Sequence, residues 1–196
     1  MDSKLDVISH LPHLINHPTQ LAVATKNWAL IEQAFTDAGI GDKYNLAWVC
    51  ATVRVETASR FAPIDEFGTA AYFETMYWRN LGRRKALGNL RPEDGAMYHG
   101  RGFVQLTGRF NYGQAQKMSG APLLKQPDLA KDPALATRIL LWYWQSHKID
   151  KVCESLAKTA DPQSHALLWQ TVRKKVQGGL SGFDVFMSTL KTLGVS

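Results

Sequence analysis

The sequence predicts a mainly α fold in the α+β sense: one helical domain carrying a small β-hairpin or loop region. Three observations predict it. Apolar residues recur at helical spacing in several segments. Asp-Pro pairs, at Asp132-Pro133 and Asp161-Pro162, supply an N-cap followed by proline at the first helical position. Between 61 and 76 the helical period breaks, and residues 98–113 enclose a short apolar, strand-like core between glycines. At 196 residues, 45% hydrophobic and 20% charged, the chain can bury one sizeable core and is not of disordered composition.

In chain order, residues 1–20 read as a short lead-in punctuated by Pro12 and Pro18. A helix is expected over 27–38, with Trp28, Ile31 and Phe35 at helical spacing and Gly39 ending it. A second covers 46–57 with the stripe Leu46, Val49, Cys50, Val53. Pro63 and Gly68 make 61–76 a loop with a short hairpin. Residues 80–97, with Gly82, Gly88, Pro92 and Gly95, read as loop. Helices follow from 132 to about 146, from 161 to about 176 (stopped by Gly178-Gly179), and over 183–193. No internal repeat or low-complexity linker divides the chain.

Lys and Arg outnumber Asp and Glu by 23 to 17, a net charge of +6. Seven basic residues (Arg79, Arg83, Arg84, Lys85, Arg91, Arg101, Arg109) face two acids, Glu93 and Asp94, within 79–109. Such a patch suits an anionic partner (nucleic acid, an anionic membrane, an anionic wall polymer) or a solvated face. No helix has the dense basic stripe of a nucleic-acid reader. Cys50 and Cys153 are expected as buried free thiols rather than a disulfide. His10, His13 and His17 are helically spaced but interrupted by proline and lack a carboxylate ligand, so neither metal nor other cofactor is expected. No apolar run reaches the roughly 20 residues of a membrane span, and the N-terminus lacks a signal peptide's features, which predicts synthesis in a cytoplasm without an export signal.

Glu56 is the leading candidate for chemistry. It falls about 20° from Val49 around a helix begun at Leu46, at the edge of the apolar stripe. Partial desolvation there would raise its pKa and suit a general acid; a plain salt bridge to Arg60 is the structural alternative. Asp65 and Glu66 follow a proline-containing turn. A second carboxylate facing the first is what glycosidic hydrolysis requires, one acid for the leaving oxygen and one base for water.

The stretch Tyr98, Gly100, Arg101, Gly102, Gln105, Leu106, Thr107, Asn111, Tyr112 resembles the signature of glycoside hydrolase family 19, shared by plant-type chitinases and many bacteriophage endolysins: Tyr-x-Gly-Arg-Gly-x-x-Gln-Leu-Ser/Thr-x-x-x-Asn-Tyr. Upstream, ETASRFAPIDEFG is similar to the family segment holding both catalytic carboxylates. Residues 127–144 and 175–184 resemble later endolysin segments, so the likeness runs over about 28–190. It implies a lysozyme-like fold with the hairpin region beside the catalytic cleft, and a division into a lead-in, 1–25, and a catalytic domain, 26–196. It also implies roles: Glu56 as general acid, Glu66 (or its neighbour Asp65) as general base, and Thr107 holding the attacking water. Gln105 and Asn111 would bind sugar. Tyr98 and Arg101 would line the cleft wall, Arg101 alternatively pairing with a buried carboxylate. Gln177 stands where the family has a sugar-binding Asn. Ala58-Ser59 replaces Gly-Gly, and Phe110 replaces a tyrosine.

The resemblance implies β-1,4 glycosidic cleavage, expected to invert, with carboxyl groups roughly 6.5–9.5 Å apart. The missing leader and the basic stretch favour bacterial peptidoglycan, an endolysin-type lysozyme acting in the periplasm as a monomer after a holin-like partner opens the membrane. Chitin is the second candidate polymer, and a catalytically inactive wall-binding module the alternative of another class.

Overall fold

The computed structural model describes residues 5–158, 161–177 and 181–195. Among them the helices are α1 (Val7–Leu14), α2 (Pro18–Asp37), α3 (Lys43–Glu56), α4 (Ala70–Glu74), α5 (Leu81–Leu87), α6 (Glu93–Met97), α7 (Arg109–Ser119), α8 (Pro133–Ser146), α9 (Ile149–Ala157), α10 (Pro162–Gln177) and α11 (Phe183–Thr192). A π turn spans Thr75–Arg79 and a 3-10 turn Pro127–Lys131. The strands are β1 (Ile64–Asp65) and β2 (Arg101–Gly102). The fold is thus mainly α with a small two-stranded sheet. None of the described helices is long and apolar enough to cross a membrane. The chain divides into two compact units, Met1–Ala62 with Tyr143–Ser196, and Pro63–Trp142, the boundary falling within α8.

The first unit is organised by α3. Asp42 caps it, its carboxylate accepting from the amides of Tyr44 and Asn45. Every residue from Leu46 to Val53 is buried, so the helix is apolar all round rather than along the expected stripe. It packs on α1, α9 and α11. Trp48 meets Phe186 edge-on, and the indole of Trp144 donates to Asn45 Oδ1 at 2.7 Å. The lead-in is itself helical: α1 buries Val7, Leu11 and Leu14, and α2 starts with Pro18 at its first turn, well before the expected 27. Proline is at home there because the first helical amides have no intrahelical acceptor. Cys50 and Cys153 are buried and unbridged.

The second unit is built from short pieces. β1 pairs antiparallel with β2, Ile64 opposite Gly102 and Asp65 opposite Arg101, so the sheet is closed by a distant segment rather than by a local hairpin. The stretch expected as loop contains α5 and α6. Asn80 caps α5 by accepting from Arg83 N, and Gly88 ends it in the left-handed region. α7 and α9 were also not expected. In α7 the few apolar residues are interrupted by polar ones, too sparse for the periodicity to register, whereas α9 does carry a helical stripe, Ile149, Val152, Cys153 and Leu156, within only nine residues.

Candidate active site

Glu56 is the last residue of α3. The chain then turns sharply. Ser59 N donates to Arg54 O and Ala58 N to Val55 O, a Schellman closure. Ala58, Ser59 and Phe61 all have positive φ (49°, 61° and 50°). The first two occupy the places where the signature upstream carries Gly-Gly, and they hold the backbone that glycine would adopt without strain. Two side chains of α2 keep the turn in place, Gln20 donating to Ser59 O at 2.7 Å and Asn27 to Phe61 O at 2.8 Å.

The Glu56 side chain is 8% exposed, and Arg173 Nη1 donates to its Oε1 at 2.7 Å. Arg173 is fully buried; its Nε and Nη2 also donate to Ser181 O. Burial pushes the Glu56 carboxyl up, and the charge and hydrogen bond of Arg173 only partly oppose this. The partner is therefore Arg173 on α10. Sequence reasoning missed it, although a basic residue sits there within the stripe Trp169, Val172, Val176. Tyr143, whose hydroxyl donates to Lys175 O at 2.9 Å, is raised to about 12 by burial and by the Glu56 charge.

Asp65 and Glu66, adjacent in sequence, have different surroundings. Asp65 accepts from Lys131 Nζ at 2.6 Å and pairs with Arg101 Nε at 3.0 Å and His99 Nε2 at 3.1 Å. Burial raises its pKa, but the hydrogen bonds of Lys131 and His99 and the charges of Lys131 and Arg101 outweigh it, holding the carboxyl below the usual range. Glu66 accepts from the Tyr77 hydroxyl at 2.7 Å and from Gly100 N at 3.0 Å, two neutral donors. A Cβ at Gly100 would lie 3.1 Å from Glu66 Oε2 and 2.7 Å from Gln105 Oε1, so glycine is what lets this backbone approach the carboxylate.

The other signature residues gather in the second unit as a connected network. Gln105 Nε2 donates to Gly102 O at 3.2 Å, Thr107 Oγ1 to Gln105 O at 2.8 Å, and Asn111 Nδ2 to Thr107 O at 2.8 Å. All three are partly exposed. Tyr98 and Arg101 do not form an exposed wall. Tyr98 is 2% exposed with its hydroxyl on Leu124 O, and Arg101, 6% exposed, is spent on Asp65, Asp128, the Met97 carbonyl and the Tyr112 hydroxyl. Their flat, multi-donor and hydroxyl-bearing side chains brace the segment from within. Gln177 ends α10, and its side chain, like Gly178-Gly179, lies outside the described residues.

The profile of the glycoside hydrolase 19 family, described as "Chitinase class I", matches residues 46–165, more than half of the chain. The chain belongs to glycoside hydrolase family 19. Among curated relatives of this family, endochitinase CH25 of Brassica napus is 31% identical over 101 residues, 49% of this chain and 28% of that protein. Lectin/endochitinase 1 of Urtica dioica is 31% identical over 102 residues, 51% of this chain and 27% of that protein. The chain thus aligns with only about a quarter of the length of these two relatives. The crystal structure of chitinase C from Streptomyces griseus superposes with a TM-score of 0.58 at 20% identity, covering 100% of this chain and 96% of that one, a likeness of fold.

Proposed function

We propose that this family 19 chain hydrolyses β-1,4 glycosidic bonds of an N-acetylated amino-sugar polymer, with Glu56 as general acid and Glu66 as general base. The observation that carries the reading is the environment of Glu56: a carboxyl at a helix end, almost wholly buried, whose pKa is raised in spite of an arginine 2.7 Å away. Such a group keeps its proton longer than a solvated glutamate, as a proton donor must. In the reaction, the Glu56 proton passes to the glycosidic oxygen as the anomeric C–O bond breaks. Glu66 takes a proton from a water whose oxygen bonds to the anomeric carbon from the opposite face, inverting it. Arg173 then stabilises the carboxylate left on Glu56. Of the two neighbouring acids, Asp65 is committed to three cationic or donor partners, which supports Glu66 as the base. Thr107 is the residue proposed to hold the water, with Gln105, Asn111 and Gln177 toward sugar.

Two polymers fit this chemistry. Peptidoglycan is supported by the net charge of +6 and by the run Arg83, Arg84, Lys85 on α5. On that substrate the chain would act at the bacterial wall, reached with a holin-like partner. Chitin is supported by the names of the plant relatives, which are endochitinases. Zymography of the purified chain on bacterial walls and on chitin decides between them. Clearing on walls is the expected result, and clearing on chitin alone overturns the peptidoglycan reading. Glu56→Gln should clear neither; lysis at the wild-type rate by a folded Glu56→Gln protein would sink the assignment of the acid.

A further inference from the structure

The Tyr77 hydroxyl is not part of the family signature quoted above, yet it makes the 2.7 Å hydrogen bond to Glu66 Oε1. The ring is placed with care. Tyr77 lies in the π turn Thr75–Arg79, a local insertion of one residue per turn that is uncommon and concentrated at functional sites. The Tyr77 carbonyl accepts from Asn89 Nδ2 at 3.0 Å, and Asn89 Oδ1 in turn accepts from Arg109 N at 2.9 Å, tying the π turn to the first residue of α7. The phenol ring stacks on Phe73 (centroids 6.2 Å apart, planes at 12°), and Phe73 stacks on His99 (4.4 Å, 6°). Three parallel rings therefore run from the donor on Glu66 to the donor on Asp65. This is stiff support for one hydroxyl.

We propose that Tyr77 is a positioning residue for Glu66: its hydroxyl and the Gly100 amide each donate to one carboxylate oxygen, fixing the carboxylate plane. The inference rests on the reading of Glu66 as base. One lone-pair direction on each oxygen stays available to accept a proton from water. Burial, followed by the hydrogen bond and charge of Glu66, raises the phenol's pKa, so it remains a donor throughout the working pH range. Tyr72 and Arg83 also act electrostatically on the phenol, while Asp65, next to Glu66, is held by His99, Arg101 and Lys131. None of these supplies the missing donor to Glu66 when the phenol is removed.

Tyr77→Phe keeps the ring stack and deletes the hydroxyl. The expected result is a kcat lowered roughly 10- to 100-fold with KM within about two-fold, and an acid limb of the kcat profile moved up by about half a pH unit or more. Melting temperature should stay at the wild-type value. Unchanged kcat and acid limb overturn the proposal, as does a raised KM with unaltered kcat, which would make Tyr77 a sugar contact. Glu66→Gln is run in parallel. Wild-type activity in that variant removes the base assignment itself, whereas loss there with a normal Tyr77→Phe removes only the role of Tyr77.

Discussion

Glu56 and Asp65 are both carboxylates beside arginines, and their pKa values move in opposite directions because burial dominates at one and hydrogen bonds with cations at the other. This has a consequence for stability. A carboxyl whose folded pKa is raised binds its proton more tightly in the native state, so its contribution favours folding at low pH and is lost as pH rises through the folded pKa. Glu56→Gln mimics the protonated form and retains an amide oxygen to accept from Arg173, so it is expected to be inactive while still folding and to lose less stability than a variant lacking Arg173, as differential scanning calorimetry would show. Removing the other partner is more costly: Arg173→Met leaves a buried carboxylate without its counter-charge or hydrogen-bond donor and should cost about 3 kcal/mol or more. At this scale the sequence spoke clearly about Glu56, whose helix and flanking Thr57 are visible in it. It was silent about Arg173, which is distant in the chain and meets Glu56 only through folding.

The turn that ends α3 and the sheet formed by β1 and β2 fix the two acidic segments locally, and each carries strain or charge that can be tested. Ala58 occupies the left-handed position of a Schellman closure, which costs an alanine roughly 1 kcal/mol relative to glycine. Ala58→Gly should recover part of that, raising the midpoint of urea unfolding. The cluster around β1 behaves differently. Asp65 and Asp128 have depressed pKa values, Asp65 against the opposing pull of burial and Asp128 chiefly through its hydrogen bond from Lys131. Their contribution is present above the ordinary aspartate value of about 3.9 and is lost as pH falls through the lower folded values. Asp65→Asn should therefore lower stability above that range and flatten the loss of stability below it, followed by thermal melts from neutral to strongly acidic pH. Both aspartates are substantially exposed, which keeps the effect modest. Of these elements, α3, α8, α10 and α11 were legible in caps and periodicity. The pairing of β1 with β2 was not, because two-residue strands far apart in sequence leave no alternating pattern to read.

At the scale of the whole molecule, the charge is redistributed by folding. Of the seven basic residues in 79–109, Arg79 pairs with Glu74, Arg91 with Glu93, Arg101 with Asp65 and Asp128, and Arg109 with Asp94. Arg83, Arg84 and Lys85 on α5 remain as the compact basic group, with Arg84 over the Trp78 ring at 4.6 Å. Reversing these three charges should weaken sedimentation with purified walls at low salt and matter little at high salt, where exposed charges are screened. A salt-independent loss would assign the effect to packing instead. The sequence by itself determined the helical character, the family and the signature segment around Gly100-Arg101-Gly102, and it singled out Glu56 as the candidate acid. These reside in periodicity, capping and contiguous motifs, which are local properties of a chain. Only the tertiary structure decided which charges are spent on one another, that Tyr98 and Arg101 face inward, and that Glu66 rather than Asp65 is left to neutral donors. Those depend on what lies across from each side chain, and burial and pairing exist only once distant segments have met.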